Sequence, residues 1–147
     1  RGVYRKLAVG HSPDGQEGWL NWIVMHPQRG PIGVVQSTVM PAHHAAWVAY
    51  VLAQPHRGFG FACEAAAAMV DHLIDALGVT TLLAMIEDAN EPSRRLLLKL
   101  GFAAADADQQ ARWGSNMTPT ERLFIRGISS SHADCEAMQS SPRLNIG

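Results

Sequence analysis

Hydrophobic and polar positions alternate with a period near two through the early part of the chain, and at Ala62 the period changes to about 3.6. The alternating part predicts three strands in succession. Residues 19–25, rich in aromatic and β-branched side chains, are closed by Pro27 and Gly30, and residues 32–39 read as their hairpin partner. Residues 45–52 follow the loop at 40–44, and such short connections favour an antiparallel meander. Ahead of these strands, residues 4–10 read as the end of a helix leading into the turn-rich segment 11–15. Beyond Ala62 one helical stripe runs through Ala62, Ala65 or Ala66, Met69, Val70, Leu73, Ile74 and Leu77, with Glu64, Asp71 and Asp75 off it. Gly78 is placed to end that helix in a left-handed cap, and residues 79–86 then read as a buried strand. Strand, helix, strand in that order implies a parallel pair with a right-handed crossover. Asn90 can cap a second helix, with Pro92 in its first turn and Gly101 at its end, and Phe102 begins a further strand.

Length and charge narrow the class. A chain of 147 residues, 47% of them hydrophobic, holds one domain with a real core. A formal net charge of −1 argues against a nucleic-acid partner, which calls for a basic face. No apolar run approaches the ~20 residues that span a bilayer, and the opening residues carry no signal-peptide pattern, so a cytoplasmic location without membrane contact is expected. Cys63 and Cys135 form no metal-ligand spacing, so reduced thiols and no metal site are expected.

The stretch with chemical content is residues 54–62, between the third strand and the alanine-rich helix. Gly58 and Gly60 let backbone amides converge where a helix begins, and Arg57 adds a full positive charge beside them. That combination seats an anion, and phosphate is the natural guest. A plain glycine turn is the competing reading. A Walker loop is absent, and Gly58 and Gly60 are followed by Cys63 where a dinucleotide fingerprint needs its third glycine. No acidic ribose partner lies about 20 residues on.

Arg57, Gly60 and Ala62 resemble the pyrophosphate loop of the GNAT acetyltransferase superfamily, and Asn90, Ser93, Lys99, Gly101 and Phe102 match a second stretch of that family in register. The branch most resembled is that of the ribosomal-protein N-terminal acetyltransferases. The resemblance implies an α/β (α+β) GNAT fold with a central mixed, partly splayed sheet, and acetyl-CoA as co-substrate. Its pantetheine arm would lie along Tyr50, Val51 and Leu52 opposite the segment ending at Ile86, and its diphosphate on Arg57, Gly58, Phe59, Gly60, Phe61 and Ala62. Asn90 would anchor the arm or cap its helix, and Ser93 would protonate the departing thiolate or merely help cap. Arg94 and Arg95 read as a solvated face, His43 and His44 as loop histidines in the right pKa range for a base, and Trp19, Trp22 and Trp47 as core or acceptor-pocket residues.

The tail departs from the family. Residues 118–126 followed by 127–138 resemble the family's first strand and first helix, the latter capped near 129–131, while residues 1–113 resemble its second helix to sixth strand. A single domain with rotated segment order, joined at 113–117, accounts for both anomalies. A reordered chain, a second copy, or a plain closing strand at 121–127 are the alternatives. The expected function is acetyl transfer to the primary amine of a small molecule or peptide by direct attack. A non-catalytic acyl-CoA-binding module, or use of another acyl-CoA, competes with it. Dimers are common among relatives.

Overall fold

The computed structural model describes the backbone of residues 3–11 and the whole of residues 13–128. Seven strands make one mixed sheet: β1 (Val3–His11), β2 (Gly18–His26), β3 (Gly30–Met40), β4 (Ala45–Leu52), β5 (Thr81–Glu87), β6 (Ala103–Ala104) and β7 (Glu121–Gly127). Their spatial order is β1-β2-β3-β4-β5-β7-β6. Helix α1 (Phe61–Leu77) links β4 to β5, α2 (Glu91–Lys99) links β5 to β6, and α3 (Ala107–Trp113) links β6 to β7. This is the mixed α/β sheet that the pattern predicts, with the meander β2-β3-β4 antiparallel throughout.

Three expectations need correction. Residues 4–10 are not the end of a helix. They lie in β1, paired with β2 from Val3↔Met25 to His11↔Gly18. Arg5, Lys6, Leu7 and Ala8 are good helix formers, but the short link at 12–17 turns the chain straight back along β2, and tertiary pairing overrides propensity. The strand starting at Phe102 shrinks to Ala103–Ala104 because α3 follows at once. Its capping box joins Asp106 and Gln109, each side chain accepting from the other residue's amide, at 2.8 and 2.9 Å. Leu77 falls off the apolar stripe of α1 and is 45% exposed, as the last residue of the helix before the Gly78 cap. Residues 121–127 lie between β5 and β6, antiparallel to both, in the place of a closing strand. The helix expected near 129–131 lies outside the described residues.

The two faces of the sheet are covered differently. Ala65, Met69, Val70 and Leu73 of α1, with Leu97 of α2, pack on one face against Val24, Val35, Ala46 and Leu82. A smaller cluster on the other face joins Ala45, Leu83, Ala105 and Leu123, with Trp113 of α3 against it. Gly78 ends α1 with φ 66° and its amide on Leu73 O, the left-handed cap read from sequence.

Candidate functional site: a split in the sheet beside a glycine loop

β4 and β5 run parallel, but their pairing holds only at Ala45↔Thr81, Ala46↔Leu82 and Trp47↔Leu83. Beyond those three steps the strands part. Each keeps its other neighbour: β4 stays bonded to β3 out to Leu52, and β5 to β7 out to Glu87. The facing edges, residues 48–52 and 84–87, are thus left with main-chain donors and acceptors that no strand uses. A cleft of about 210 Å³ opens there, roofed by Met69 of α1 and Leu96 of α2, with Tyr50 and Ser93 in its wall.

The loop follows directly on β4. Gly58 (φ 87°) and Gly60 (φ 81°) both take the left-handed conformation, and a Cβ at either would meet nothing within 4 Å. Gly60 is the N-cap of α1 and offers no side-chain cap, and the first amide after it to find an acceptor is that of Glu64, on Gly60 O at 3.1 Å. Among the described residues, the amides from Gly58 to Cys63 make no hydrogen bond. They are free donors at the positive end of a 17-residue helix, which is what an anion seat requires. Arg57 Nε donates to Leu52 O at 3.2 Å, tying the loop to the end of β4. The turn between β2 and β3 braces the same loop: the Arg29 guanidinium sits 4.4 Å from the Phe59 ring centre, and Phe59 stacks on Phe61 at 5.5 Å. Partial desolvation, with Arg29 and His56 nearby, lowers the His26 pKa in this corner.

The reactive end of the cleft holds a hydroxyl pair. Asn90 caps α2 by accepting from the Ser93 amide at 3.2 Å, which fixes Ser93 in the first turn. Ser93 is buried, and its Oγ lies 2.7 Å from the Tyr50 hydroxyl on β4. Burial pushes the Tyr50 phenol above its ordinary value, outweighing the lowering effect of the Ser93 hydrogen bond. The structure therefore brings together Tyr50, Asn90 and Ser93. Leu52 is buried beneath the loop, and Val51 points outward at 63% exposure, so its side chain has no part in the cleft. The Tyr50 hydroxyl was missed as a chemical group, because only the fold carries β4 against α2. Arg94 is engaged with Asp88 at 2.8 Å and Arg95 is exposed. His43 meets Trp113 edge-on at 5.9 Å and His44 lends its carbonyl to Thr80 and Thr81, so neither lines the cleft.

A second cleft, of about 420 Å³, lies on the sheet face away from α1. Two cross-strand rows floor it: Trp19↔Thr38↔Trp47 and Asn21↔Gln36↔Ala49. It meets the first cleft at Val48, Ala49 and Met85, where the split begins.

Fold and site define an α/β protein whose central sheet parts beside an amide-lined loop. Residues 5–103 match the family model described as the acetyltransferase (GNAT) domain, and with more than half of the chain matched, the protein belongs to the GNAT acetyltransferase family. It is similar to an uncharacterised N-acetyltransferase, YoaA, of Bacillus subtilis (strain 168), 38% identical over 60 residues. That match takes in 41% of this chain and spans about a third (34%) of the relative's length. Among solved structures, ribosomal-protein-S5-alanine acetyltransferase from Vibrio fischeri shares 19% identity at a TM-score of 0.62, over 76% of this chain and 63% of that one. Spermidine N-acetyltransferase from Vibrio cholerae, solved with CoA and spermine, shares 16% at a TM-score of 0.62, over 78% and 68%. At such identities the likeness concerns the fold.

Proposed function

We propose that the protein transfers an acetyl group from acetyl-CoA to a primary amine, by direct attack with both substrates bound. The observation that carries this is the parting of β4 and β5 after Trp47 and Leu83, which leaves a strand-wide slot along the edge of β4, the strand that the loop follows. A slender chain rich in amides can add to those edges as an extra strand does, and its diphosphate can rest on the amides from Gly58 to Ala62. Those open, left-handed glycines fit the group, because no side chain fills the seat. Bound acetyl-CoA supplies the activated acyl carbon and a thiolate leaving group. Ser93, backed by Tyr50 at 2.7 Å, holds the proton that the sulphur takes up, and the raised phenol pKa keeps Tyr50 protonated throughout the neutral range. Asn90 holds Ser93 in place through its amide.

The reading is supported by family membership together with this geometry. A non-catalytic acyl-CoA-binding module competes on one observation: among the described residues no histidine lines either cleft, and Glu87 is the one carboxylate lining the first. Thiol release from acetyl-CoA over a panel of amines decides between them. With a productive amine, Ser93→Ala is expected to lower kcat by roughly 10²-fold while the KM for acetyl-CoA stays within about twofold, with Tyr50→Phe less severe. Binding of acetyl-CoA without thiol release from any amine would establish the module instead.

A further inference from the structure

Residues 27–29 turn the chain from β2 into β3, and Gly30, with φ 77°, completes the turn. His26 fastens it. Its Nδ1 accepts from the amides of Gln28 and Arg29, at 3.1 and 3.2 Å, and its ring meets Phe61 edge-on at 5.0 Å. Arg29 is thereby held against the glycine loop: its guanidinium lies 4.4 Å from the Phe59 ring centre and 5.4 Å from that of Phe61, and Nη1 donates to His56 Nδ1 at 3.3 Å. A guanidinium resting over aromatic rings is fixed in place while its in-plane N–H groups stay open to an anion. His56 takes one of them. Among the described residues Arg29 has no carboxylate within ion-pair range, Glu64 in the first turn of α1 included.

This corner therefore holds two receptors for anions, the free amides at the start of α1 and a preset guanidinium beside them. Phe59 is 58% exposed, so the guanidinium over it stands on the solvent side of the loop. Coenzyme A carries two phosphate groups set apart in the same way: the diphosphate and, on the same ribose, a 3′-phosphate. Resting on the acetyl-CoA reading above, we infer that Arg29 binds that 3′-phosphate and makes the protein selective for CoA thioesters over thioesters that lack it. A phosphate monoester has a charge of about −1.5 to −2 near pH 7, and the planar guanidinium fork meets two of its oxygens at once. The diphosphate is served by the amides from Gly58 to Ala62, which use no side chain. One interaction thus belongs to the main chain and the other to a single side chain, and substitution at Arg29 separates them.

The test is calorimetry of the protein with CoA and with dephospho-CoA, which differ by the 3′-phosphate alone. The unsubstituted protein is expected to bind CoA at least roughly tenfold more tightly. Arg29→Gln should weaken CoA binding by roughly tenfold and leave the Kd for dephospho-CoA within about twofold, so that the preference disappears. Arg29→Lys, which keeps the charge and loses the fork, is expected to fall between the two. Equal affinity of the unsubstituted protein for the two ligands overturns the assignment and leaves the acetyl-CoA reading standing. An equal loss for both ligands in Arg29→Gln overturns it as well, because the arginine would then serve the diphosphate. Binding of neither ligand to the unsubstituted protein ends the acetyl-CoA reading, and this assignment with it.

Discussion

Ser37 shows how a single side chain can sit at odds with its surroundings. It lies on β3 opposite Leu20 on one side and Val48 on the other, 4% exposed, and its hydroxyl finds no partner among the described residues. An unmade buried hydrogen bond costs about 1–3 kcal/mol, so Ser37→Ala is expected to stabilise the protein by about 1 kcal/mol. The urea midpoint should rise with an unchanged m-value, and a fall in midpoint would mean that the hydroxyl has a partner in solution. Ser93 is the contrasting case. Its position three residues after Asn90 was readable as a capping spacing, and the structure contains that cap. What could not be read was its partner, because Tyr50 is 43 residues away and only the packing of α2 over β4 brings the two hydroxyls together.

Among elements, the loop and the helix it opens act together. Gly60 and Gly78 bracket α1, both with positive φ and both with open space where a Cβ would stand. Alanine at either position is therefore expected to cost a similar ~1–2 kcal/mol through backbone conformation alone. Only Gly60→Ala should also weaken CoA binding, since only Gly60 lies in the anion seat. Equal CoA affinity in both variants, measured by calorimetry, would remove the loop from its assigned role. The β3–β4 pair imposes a different demand. A Cβ on Gly33 would collide with the Val51 carbonyl and stand 2.6 Å from Leu52 Cδ2. Gly33→Ala is expected to destabilise by about 1–3 kcal/mol and to disturb the end of β4 on which the loop is anchored, as a lowered thermal midpoint would register. The loop and the caps of α1 and α2 were legible because glycine, asparagine and proline act on their own backbone neighbours. α3 was not read, although Asp106 and Gln109, three residues apart, carry the capping-box spacing within a polar stretch that lacks an apolar period.

For the whole molecule, the split sheet predicts a response to ligand. The edges at 48–52 and 84–87 are not paired with each other, and the Tyr50–Ser93 hydrogen bond joins β4 to α2 across the cleft between them. A ligand added there should stabilise the fold in the ordinary way, by about 2.7 kcal/mol at a hundredfold excess over its Kd. For a chain of this size that corresponds to a rise in Tm of roughly 5–10 °C. Amide exchange in β4 and β5 should slow together with it. No shift with CoA at saturating concentration would show that the slot is closed to it.

The sequence by itself determined the local devices: the strand period of the meander, the helical stripe of α1, the glycine turn ahead of it and the asparagine cap of α2. Each depends on residues within a few positions of one another, where backbone sterics and near-neighbour hydrogen bonds decide. Tertiary structure decided the rest. It made a strand of residues 3–11 because β2 lay alongside to pair with, and it set residues 121–127 between β5 and β6. It parted β4 from β5 after three steps, a choice that no local pattern encodes because it follows from how helices and neighbouring strands hold the two apart.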